Sequence, residues 1–183
     1  SSDLLARALV SGKKLLILSD PFAGLDMQSR TILLDFFNTI VQKQGGDFPH
    51  VILGMERWHE IPDAINHVLE FSGKEITFCG QREDYEKLLQ ERSKEQEKNK
   101  DQAKSKLSDD FSQTLSDTAV LRNESEKSEE KGEILIEMNH VNVGWDGHQV
   151  LSDLSWKLLK GQHWLIQGPN GSGKTTFLEL ITG

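Results

Sequence analysis

The sequence is short of several residues on which particular protein classes depend. Its 183 residues include one cysteine, Cys79, so no disulfide can form within the chain. The six histidines are scattered, and none stands at metal-ligand spacing from another His or Cys, which argues against a zinc site. No apolar run approaches the roughly 18 residues that are needed to cross a bilayer, and we find no secretory signal pattern. We therefore expect neither a disulfide-rich secreted protein nor direct membrane insertion.

The chain also has fewer basic than acidic residues. The formal net charge is −8 at pH 7. A protein that coats DNA or RNA needs clustered cations facing the phosphates, so a nucleic-acid partner is not expected.

The first zone of the chain, residues 1 to about 81, predicts a parallel sheet with covering helices. Leu15–Leu18 and Val51–Leu53 are short apolar runs, typical of strands that are buried on both faces. Between them, apolar residues recur at helical spacing from Ser29 to about Gln42. This order of elements favours a doubly wound sheet. Two weaker signals are a helix end at Leu4–Leu9 and a hairpin turn at Ser72–Gly73.

The second zone, residues 82 to 132, predicts a charged flexible linker. It holds 11 basic and 14 acidic residues and few large apolar ones, so it cannot bury enough apolar surface to offset the entropy of ordering. Asp84–Leu89 can continue the preceding domain as a short helix. The alternative for the whole zone is a protruding helical arm.

The third zone, residues 133 to 183, predicts antiparallel strands that lead into a glycine-rich loop. Ile134, Ile136 and Met138 alternate with polar residues, which indicates a half-buried strand. Asp146–Gly147 is a two-residue hairpin turn, after which Val150–Leu158 returns as a second strand. A third strand, His163–Gln167, runs directly into the loop.

That loop matches the pattern G-x-x-x-x-G-K-[ST] in full. Its glycines allow many backbone N–H groups to approach a triphosphate, and the following helix start also favours phosphate. The lysine supplies a positive charge to the β- and γ-phosphates, and the final hydroxyl is a ligand for magnesium. The candidate nucleotide-binding residues are Gly168, Pro169, Asn170, Gly171, Ser172, Gly173, Lys174, Thr175 and Thr176, with Thr175 as the candidate metal ligand.

Trp145 stands in the hairpin before this loop and has two interpretations. It can pack on the hairpin, or it can stack on the base of a nucleotide, a contact worth on the order of 1–3 kcal/mol elsewhere. The residues alone do not choose between the two.

The sequence of Gly168–Thr176 resembles the Walker A motif of ABC ATPases. Trp145 stands where that family has its base-stacking aromatic. The first zone resembles the other end of an ABC domain. Leu15–Asp26 is similar to a Walker B strand followed by a D-loop, and Phe48–Pro62 is similar to the switch region. Among ABC proteins the resemblance is to soluble tandem-domain members of the ModF type, and it covers everything except the linker. It narrows the ligand to ATP with Mg²⁺.

The resemblance implies an α/β fold of the P-loop NTPase, ABC ATPase type, with a parallel core sheet, helices and an antiparallel β subdomain. It divides the chain into three parts. Residues 1–81 are the C-terminal part of a first ABC domain, residues 82–132 are a disordered charged linker, and residues 133–183 are the N-terminal part of a second ABC domain. We accordingly expect the chain to be a fragment of a longer protein.

The first zone departs from the family pattern at the catalytic positions. The family has Asp-Glu after the Walker B strand, whereas this chain has Ser19 and Asp20. Asp20 keeps a carboxylate but is one methylene shorter, and a misplacement of about 1 Å can cost two orders of magnitude in rate. The switch histidine aligns with Glu56, and His59 lies three positions beyond it. Asp20 is therefore a weak catalytic candidate, in a site separate from that of Lys174.

The resemblance implies three functions to weigh. The first is ATP hydrolysis that drives domain closure, with a second ABC domain in cis and a separate membrane permease as partners. The second is an ABC-F-like ATPase that acts on ribosomes or nucleic acid, and the third is a nucleotide-gated scaffold without hydrolysis. A cytoplasmic location is expected, and a mitochondrial one stays open because the sequence begins at Ser1.

Overall fold

The computed structural model describes residues 14–42, 49–56, 61–73, 75–103 and 132–183. Three helices are present in these ranges: α1 (Met27–Gln42), α2 (Arg82–Ala103) and α3 (Lys174–Thr182). The strands are β1 (Leu15–Ser19), β2 (His50–Met55), β3 (His67–Ser72), β4 (Glu75–Gln81), β5 (Ile134–Trp145), β6 (His148–Leu159) and β7 (Trp164–Gln167). The predicted helix end at residues 4–9, His59 and residues 104–131 lie outside the described ranges.

Five strands form one mixed sheet in the order β1-β2-β7-β3-β4. The pairs β1–β2, β2–β7 and β7–β3 are parallel, and β3–β4 is an antiparallel hairpin. Strand β7 lies in the middle, with Leu165 opposite Leu53 on one side and Val68 on the other. The sheet therefore joins strands from both ends of the chain, and it confirms an α/β fold with a parallel core.

The two faces of this sheet carry two separate apolar clusters, because successive side chains of a strand point to opposite faces. Val51, Leu53 and Leu165 pack on one face with Phe37 of α1 and Tyr85 of α2. The other face is covered by the β5–β6 hairpin and α3, whose buried residues join those of the sheet: Ile52, Leu69, Ile166, Leu154, Trp156, Leu158, Phe177 and Leu178.

Helix α1 begins at Met27, two residues before the predicted Ser29, because Asp26 caps it. The Asp26 carboxylate accepts hydrogen bonds from the backbone N and the Oγ of Ser29, each at 2.9 Å. Such a cap satisfies a backbone N–H that the first helical turn leaves unpaired. The same two hydrogen bonds hold the pKa of Asp26 below its usual value.

The β5–β6 hairpin has the predicted turn and the predicted alternation. Asp146 and Gly147 both adopt positive φ, 48° and 80°, as a tight two-residue turn between antiparallel strands requires. Leu154, Trp156 and Leu158 are buried while Ser155 and Lys157 between them are exposed. One face of β6 therefore belongs to the core, and in β5, where the sequence predicts alternation, Met138 is buried and Ile136 half-buried.

Helix α2 confirms the helix predicted at Asp84–Leu89 and extends it, since Arg82–Ala103 forms a helix of 22 residues. Tyr85 is fully buried, and Leu88 and Leu89 pack against the same cluster. Two turns of apolar contact fix the beginning of the helix. Composition averaged over the whole zone does not show these contacts, because the apolar side chains that pack against the core, Tyr85, Leu88 and Leu89, lie within the first eight positions of α2.

Candidate functional site

The parallel strands bring the candidate site residues to one edge of the sheet. Because parallel strands end on the same side, Asp20 after β1, Glu56 after β2 and Gly168 after β7 all follow carboxyl ends at that edge. Ligands of open α/β sheets bind outside such carboxyl ends. Asp20 and Glu56 are predicted to belong to one site and the glycine-rich loop to another. In the described residues all three follow strands of one sheet, and of the two acids it is Glu56 that contacts the loop.

The glycine-rich loop, called the P-loop below, runs from Gly168 to Gly173 and ends as the N-cap of α3. Gly173 has φ 95°, and a Cβ atom there would lie 2.6 Å from Leu151 Cδ2 of the hairpin. A side chain at this position would therefore meet both backbone strain and a collision. The resulting conformation directs the first amides of α3 toward the loop, which is the arrangement that binds anions at helix starts.

The start of the loop is packed against β3. A Cβ atom on Gly168 would lie 2.7 Å from the backbone oxygen of Phe71 and 2.7 Å from Ser172 Oγ. Ser172 is buried, and its hydroxyl has no hydrogen-bond partner among the described residues. An unpaired hydroxyl inside a loop of glycines fits a site that takes a polar, phosphate-like ligand.

Lys174 places its ammonium against the P-loop. The residue is buried, and Nζ donates hydrogen bonds to the backbone oxygens of Gly168 and of Pro169, the latter at 2.9 Å. The following Thr175 is exposed and Thr176 is half-buried. The donor set therefore fits magnesium triphosphate, with a cation and backbone amides for phosphate and the Thr175 hydroxyl for the metal.

Trp145 lies at the end of β5, opposite His148 across the hairpin turn. Its side chain is 64% exposed, so it is not a core residue of the hairpin. The same hairpin reaches the P-loop, because Leu151 lies against Gly173. An exposed indole on an element that contacts the loop is available for stacking.

Asp20 occupies a tight turn rather than a position against the loop. Its backbone N donates to Gly54 O at 2.7 Å, its own oxygen accepts from Ala23 N at 3.0 Å, and its φ is 44°. Ser19 precedes it at the end of β1, two strands away from β7. Among the described residues, no hydrogen bond joins Asp20 to the P-loop.

Glu56 does contact the loop. Asn170 Nδ2 donates a hydrogen bond to Glu56 Oε2 at 3.3 Å. Both side chains are exposed. The family resemblance implies that Glu56 belongs to a site other than that of Lys174, and the pairing of β2 with β7 places it beside the loop in this sheet.

A cavity of about 480 Å³ opens beside the P-loop, and sequence reasoning missed its polar group. Glu70 accepts hydrogen bonds from Tyr85 OH at 2.6 Å, from Thr77 Oγ1 at 2.9 Å and from Arg92 at 3.0 and 3.1 Å. Burial, and then the bond to Glu70, raise the pKa of Tyr85. No motif could have revealed the group, since its members are spread over β3, β4 and α2. The lining residues are Glu56, Glu70, Phe71, Ser72, Thr77, Arg92, Gln167, Gly168 and Pro169.

Comparison with known proteins identifies the family. A sequence profile described as "ABC transporter" matches residues 151–183. An uncharacterized ABC transporter ATP-binding protein of Schizosaccharomyces pombe is 32% identical over 182 residues, covering 98% of this chain and 32% of the relative. The ABC transporter ATP-binding protein ModF of Escherichia coli is 31% identical over 180 residues, covering 98% of the chain and 34% of ModF. The chain belongs to the ABC ATP-binding proteins.

A third relative of this ABC ATP-binding protein is also much longer than the chain. An uncharacterized ABC transporter ATP-binding protein of Saccharomyces cerevisiae is 29% identical over 184 residues, covering 97% of the chain and 34% of the relative. The chain thus spans about a third of the length of these relatives. No solved structure matches it significantly. Within the described ranges, no helix is both long enough and apolar enough to cross a membrane.

Proposed function

We propose that the P-loop of this ABC ATP-binding protein binds ATP together with magnesium. Backbone amides of the loop and of the first turn of α3 hold the phosphates, and Lys174 leaves the carbonyls of Gly168 and Pro169 to pair with them. Thr175 is the protein ligand of the magnesium ion, and Trp145 stacks on the adenine. Magnesium supplies charge neutralisation of the phosphates when it is bound.

One observation carries this proposal more than any other. Lys174 is buried, yet its ammonium is directed at the carbonyls of the glycine loop, and no carboxylate of the described ranges pairs with it. A buried cation without an acidic partner is costly. An anionic ligand that lies in the loop would supply the missing negative charge.

Binding is tested by titrating MgATP into the 183-residue chain in a calorimeter. Lys174→Ala is expected to weaken binding by at least tenfold, because charge-assisted hydrogen bonds to phosphate contribute about 1.5–3 kcal/mol. Lys160→Ala is the matched control, since Lys160 lies at the opposite end of β7 and pairs with Glu133 at 2.9 Å. Equal affinities of the two variants would contradict the assignment.

We propose further that the chain is part of a tandem ABC protein in which nucleotide binding drives domain closure. Residues 1–81 belong to a first ABC domain, residues 133–183 to a second, and residues 82–132 connect them through α2. The support is that the relatives of about threefold length align with 97–98% of this chain. The two domains pair in cis, and a separate permease is the partner if the task is transport.

Hydrolysis is proposed to be asymmetric in that longer protein. Ser19 offers no charge and Asp20 is fixed in a turn, so the catalytic residues of residues 1–81 support weak turnover. The site of Lys174 carries most of the activity. Lys174→Ala in the full-length protein should therefore abolish most ATP turnover, whereas the 183-residue chain alone should hydrolyse ATP negligibly. Survival of most activity in the variant, or robust turnover by the chain, would contradict the asymmetry.

An ABC-F-like role in translation is a second candidate. The energy-dependent translational throttle protein EttA of Mycobacterium tuberculosis is 38% identical, but only over 52 residues or 28% of the chain. Relatives that match nearly the whole chain are named for transport instead. ATP-dependent co-sedimentation of the full-length protein with ribosomes would favour this second role.

A nucleotide-gated scaffold would bind ATP in the full-length protein without turning it over.

A further inference from the structure

The tip of the β5–β6 hairpin carries two aromatic side chains on the face that is turned toward the core. Trp145 and His148 lie directly opposite each other, on the two sides of the hairpin turn. Residues opposed in this way project to the same face of the hairpin, with Cβ atoms about 5 Å apart. Val143, two residues before Trp145, is on that face and packs against the core. The inner face of the hairpin therefore continues into Trp145 and His148, beyond the end of the core.

The residue that follows His148 supports this orientation. Gln149 Nε2 donates a hydrogen bond to Asn142 Oδ1 at 3.1 Å, and both residues are exposed. Asn142 directly precedes the core-facing Val143, so this bond lies on the outer face of the hairpin. Because successive side chains of a strand alternate between faces, the imidazole of His148 belongs to the inner face.

The inner face at this tip lies close to the P-loop. A Cβ atom on Gly173 would lie 2.6 Å from Leu151 Cδ2 and 3.5 Å from the backbone oxygen of Val150. His148 is two residues, or about 7 Å, farther along the same strand. A nucleotide whose phosphates lie in the loop and whose base stacks on Trp145 therefore has His148 beside that base.

His148 differs from the other described histidines, all of which have hydrogen-bond partners. His163, for example, accepts from Val51 N at 3.0 Å, and His140 pairs with Asp153 at 2.6 Å. Among the described residues, no hydrogen bond, ion pair or ring contact engages the exposed imidazole of His148. Its ring is therefore available to a ligand, as the exposed indole of Trp145 is.

We propose that His148 is a second base-contacting residue, which makes this nucleotide site favour two-ring over one-ring bases. A purine stacked on Trp145 extends far enough for its second ring to meet the imidazole, whereas a pyrimidine does not cover both side chains. Aromatic rings attract each other in offset or edge-to-face arrangements. This inference rests on the proposed ATP binding and adds the residue that distinguishes bases by their size.

The test compares the affinities of MgATP, MgCTP and magnesium triphosphate, which has no base, by calorimetry on the 183-residue chain. His148→Ala is expected to weaken MgATP binding about three- to tenfold and to leave the other two affinities within about twofold of wild type. His148→Phe keeps an aromatic ring without its nitrogens and should bind MgATP within about twofold of wild type. Gln149→Ala is the matched control, because it alters the neighbouring exposed side chain on the outer face. It should leave all three affinities unchanged.

The outcomes separate this inference from the P-loop assignment. If wild type binds MgATP and His148→Ala leaves that affinity unchanged, or weakens all three ligands alike, the role of His148 is wrong and the P-loop assignment stands. Failure of His148→Phe to retain MgATP affinity would likewise contradict contact through the ring. If wild type binds none of the three ligands, the P-loop assignment fails and the role of His148 with it. Because His148 is exposed, unchanged thermal unfolding of the variants verifies that they are folded.

Discussion

Single residues of the P-loop are constrained for different physical reasons. Gly173 needs glycine for its φ of 95° and for the close approach of Leu151. Gly168 needs it because the backbone oxygen of Phe71 and Ser172 Oγ stand where a Cβ would be. The sequence motif contains both glycines, but only the packing of β3 and the hairpin shows which atoms a side chain at each position would collide with.

Gly168→Ala should disturb the loop and the sheet together. The added methyl would lie 2.7 Å from a backbone oxygen, which cannot rotate away, so we expect a loss of about 1–3 kcal/mol in stability and strongly weakened ATP binding. Gly161→Ala is the control, because its φ of 87° costs about 1–2 kcal/mol but nothing lies within 4 Å. Urea unfolding and calorimetry measure the two effects. Unimpaired ATP binding by Gly168→Ala would contradict the packing argument.

Three histidines act as hydrogen-bond acceptors at the opposite edge of the sheet. Val51 N donates to His163 Nδ1 at 3.0 Å, and Gly161 N donates to His50 Nε2 at 2.9 Å. Gln162 Nε2 lies 3.2 Å from His67 Nε2 in the same way. An imidazole that accepts an N–H must be neutral at that nitrogen. Burial, together with the nearby His50 and His67, accordingly lowers the pKa of His163 to about 4.

Stability should therefore fall in mild acid. Between pH 6.5 and 4 the unfolded chain binds a proton at His163 that the folded chain rejects, so the free energy of unfolding decreases as the pH falls through that window. His163→Asn, whose side-chain oxygen can accept from Val51 N without titrating, should flatten this dependence. His148→Asn, at the exposed hairpin turn, should not. Urea unfolding at several pH values measures the slopes, and identical slopes in all three proteins would contradict the role of His163.

At the scale of elements, α2 is held to the sheet by hydrogen bonds to the partly buried carboxylate of Glu70. Tyr85 is fully buried and donates to Glu70 of β3 at 2.6 Å, and Arg92 pairs with the same carboxylate two turns later. These contacts fix the first turns of a helix that its own composition would not stabilise. Because Glu70 lies in register with Gln167, the helix is attached directly beside the P-loop.

Tyr85→Phe should loosen this attachment. The variant keeps the ring in the core but removes one hydrogen bond to a charged group, which is expected to cost about 1.5–3 kcal/mol of stability. Hydrogen exchange should become faster in the first turns of α2. Lys87→Ala is the control on the same helix, because it removes only the exposed pair with Asp84, and it should change neither measurement. Unchanged exchange in Tyr85→Phe would show that Glu70 does not hold the helix.

At the scale of the whole molecule, one sheet is assembled from two segments that are far apart in sequence. Strand β7 lies between β2 and β3, so residues 132–183 complete the sheet of residues 14–103. Gly54 adds to the fit, because its missing side chain leaves room for Leu178 of α3. The interface consists of main-chain pairing and buried apolar contact, both of which are short-ranged but collectively strong.

The two segments should therefore remain together when the connection is cut. A protease site inserted between residues 104 and 131 is expected to give two pieces that elute as one species from a sizing column and separate only in urea. Leu165→Asp provides the control, because a charge at this fully buried position of β7 should release the pieces without denaturant. Separation of the cut wild-type pieces under native conditions would contradict the shared sheet.

The sequence by itself determined most of the local structure and the P-loop chemistry. Short apolar runs predicted β1 and β2, helical spacing predicted α1, and the Asp-Gly pair predicted the turn at 146–147, since these depend on neighbours in sequence. The glycine motif also predicts the groups that we propose to hold phosphate, because its amides, Lys174 and Thr175 are contiguous in sequence.

Only the tertiary structure decided which strands become neighbours. The insertion of β7 between β2 and β3 brought Glu56 to Asn170, although 114 positions separate them in the chain. The sequence predicts a short helix at Asp84–Leu89, but the full burial of Tyr85, which fixes the first turns of α2 against the sheet, is likewise a result of the tertiary fold. Both outcomes depend on burial and strand pairing between residues that are far apart in sequence. Local composition and spacing carry no information about these contacts.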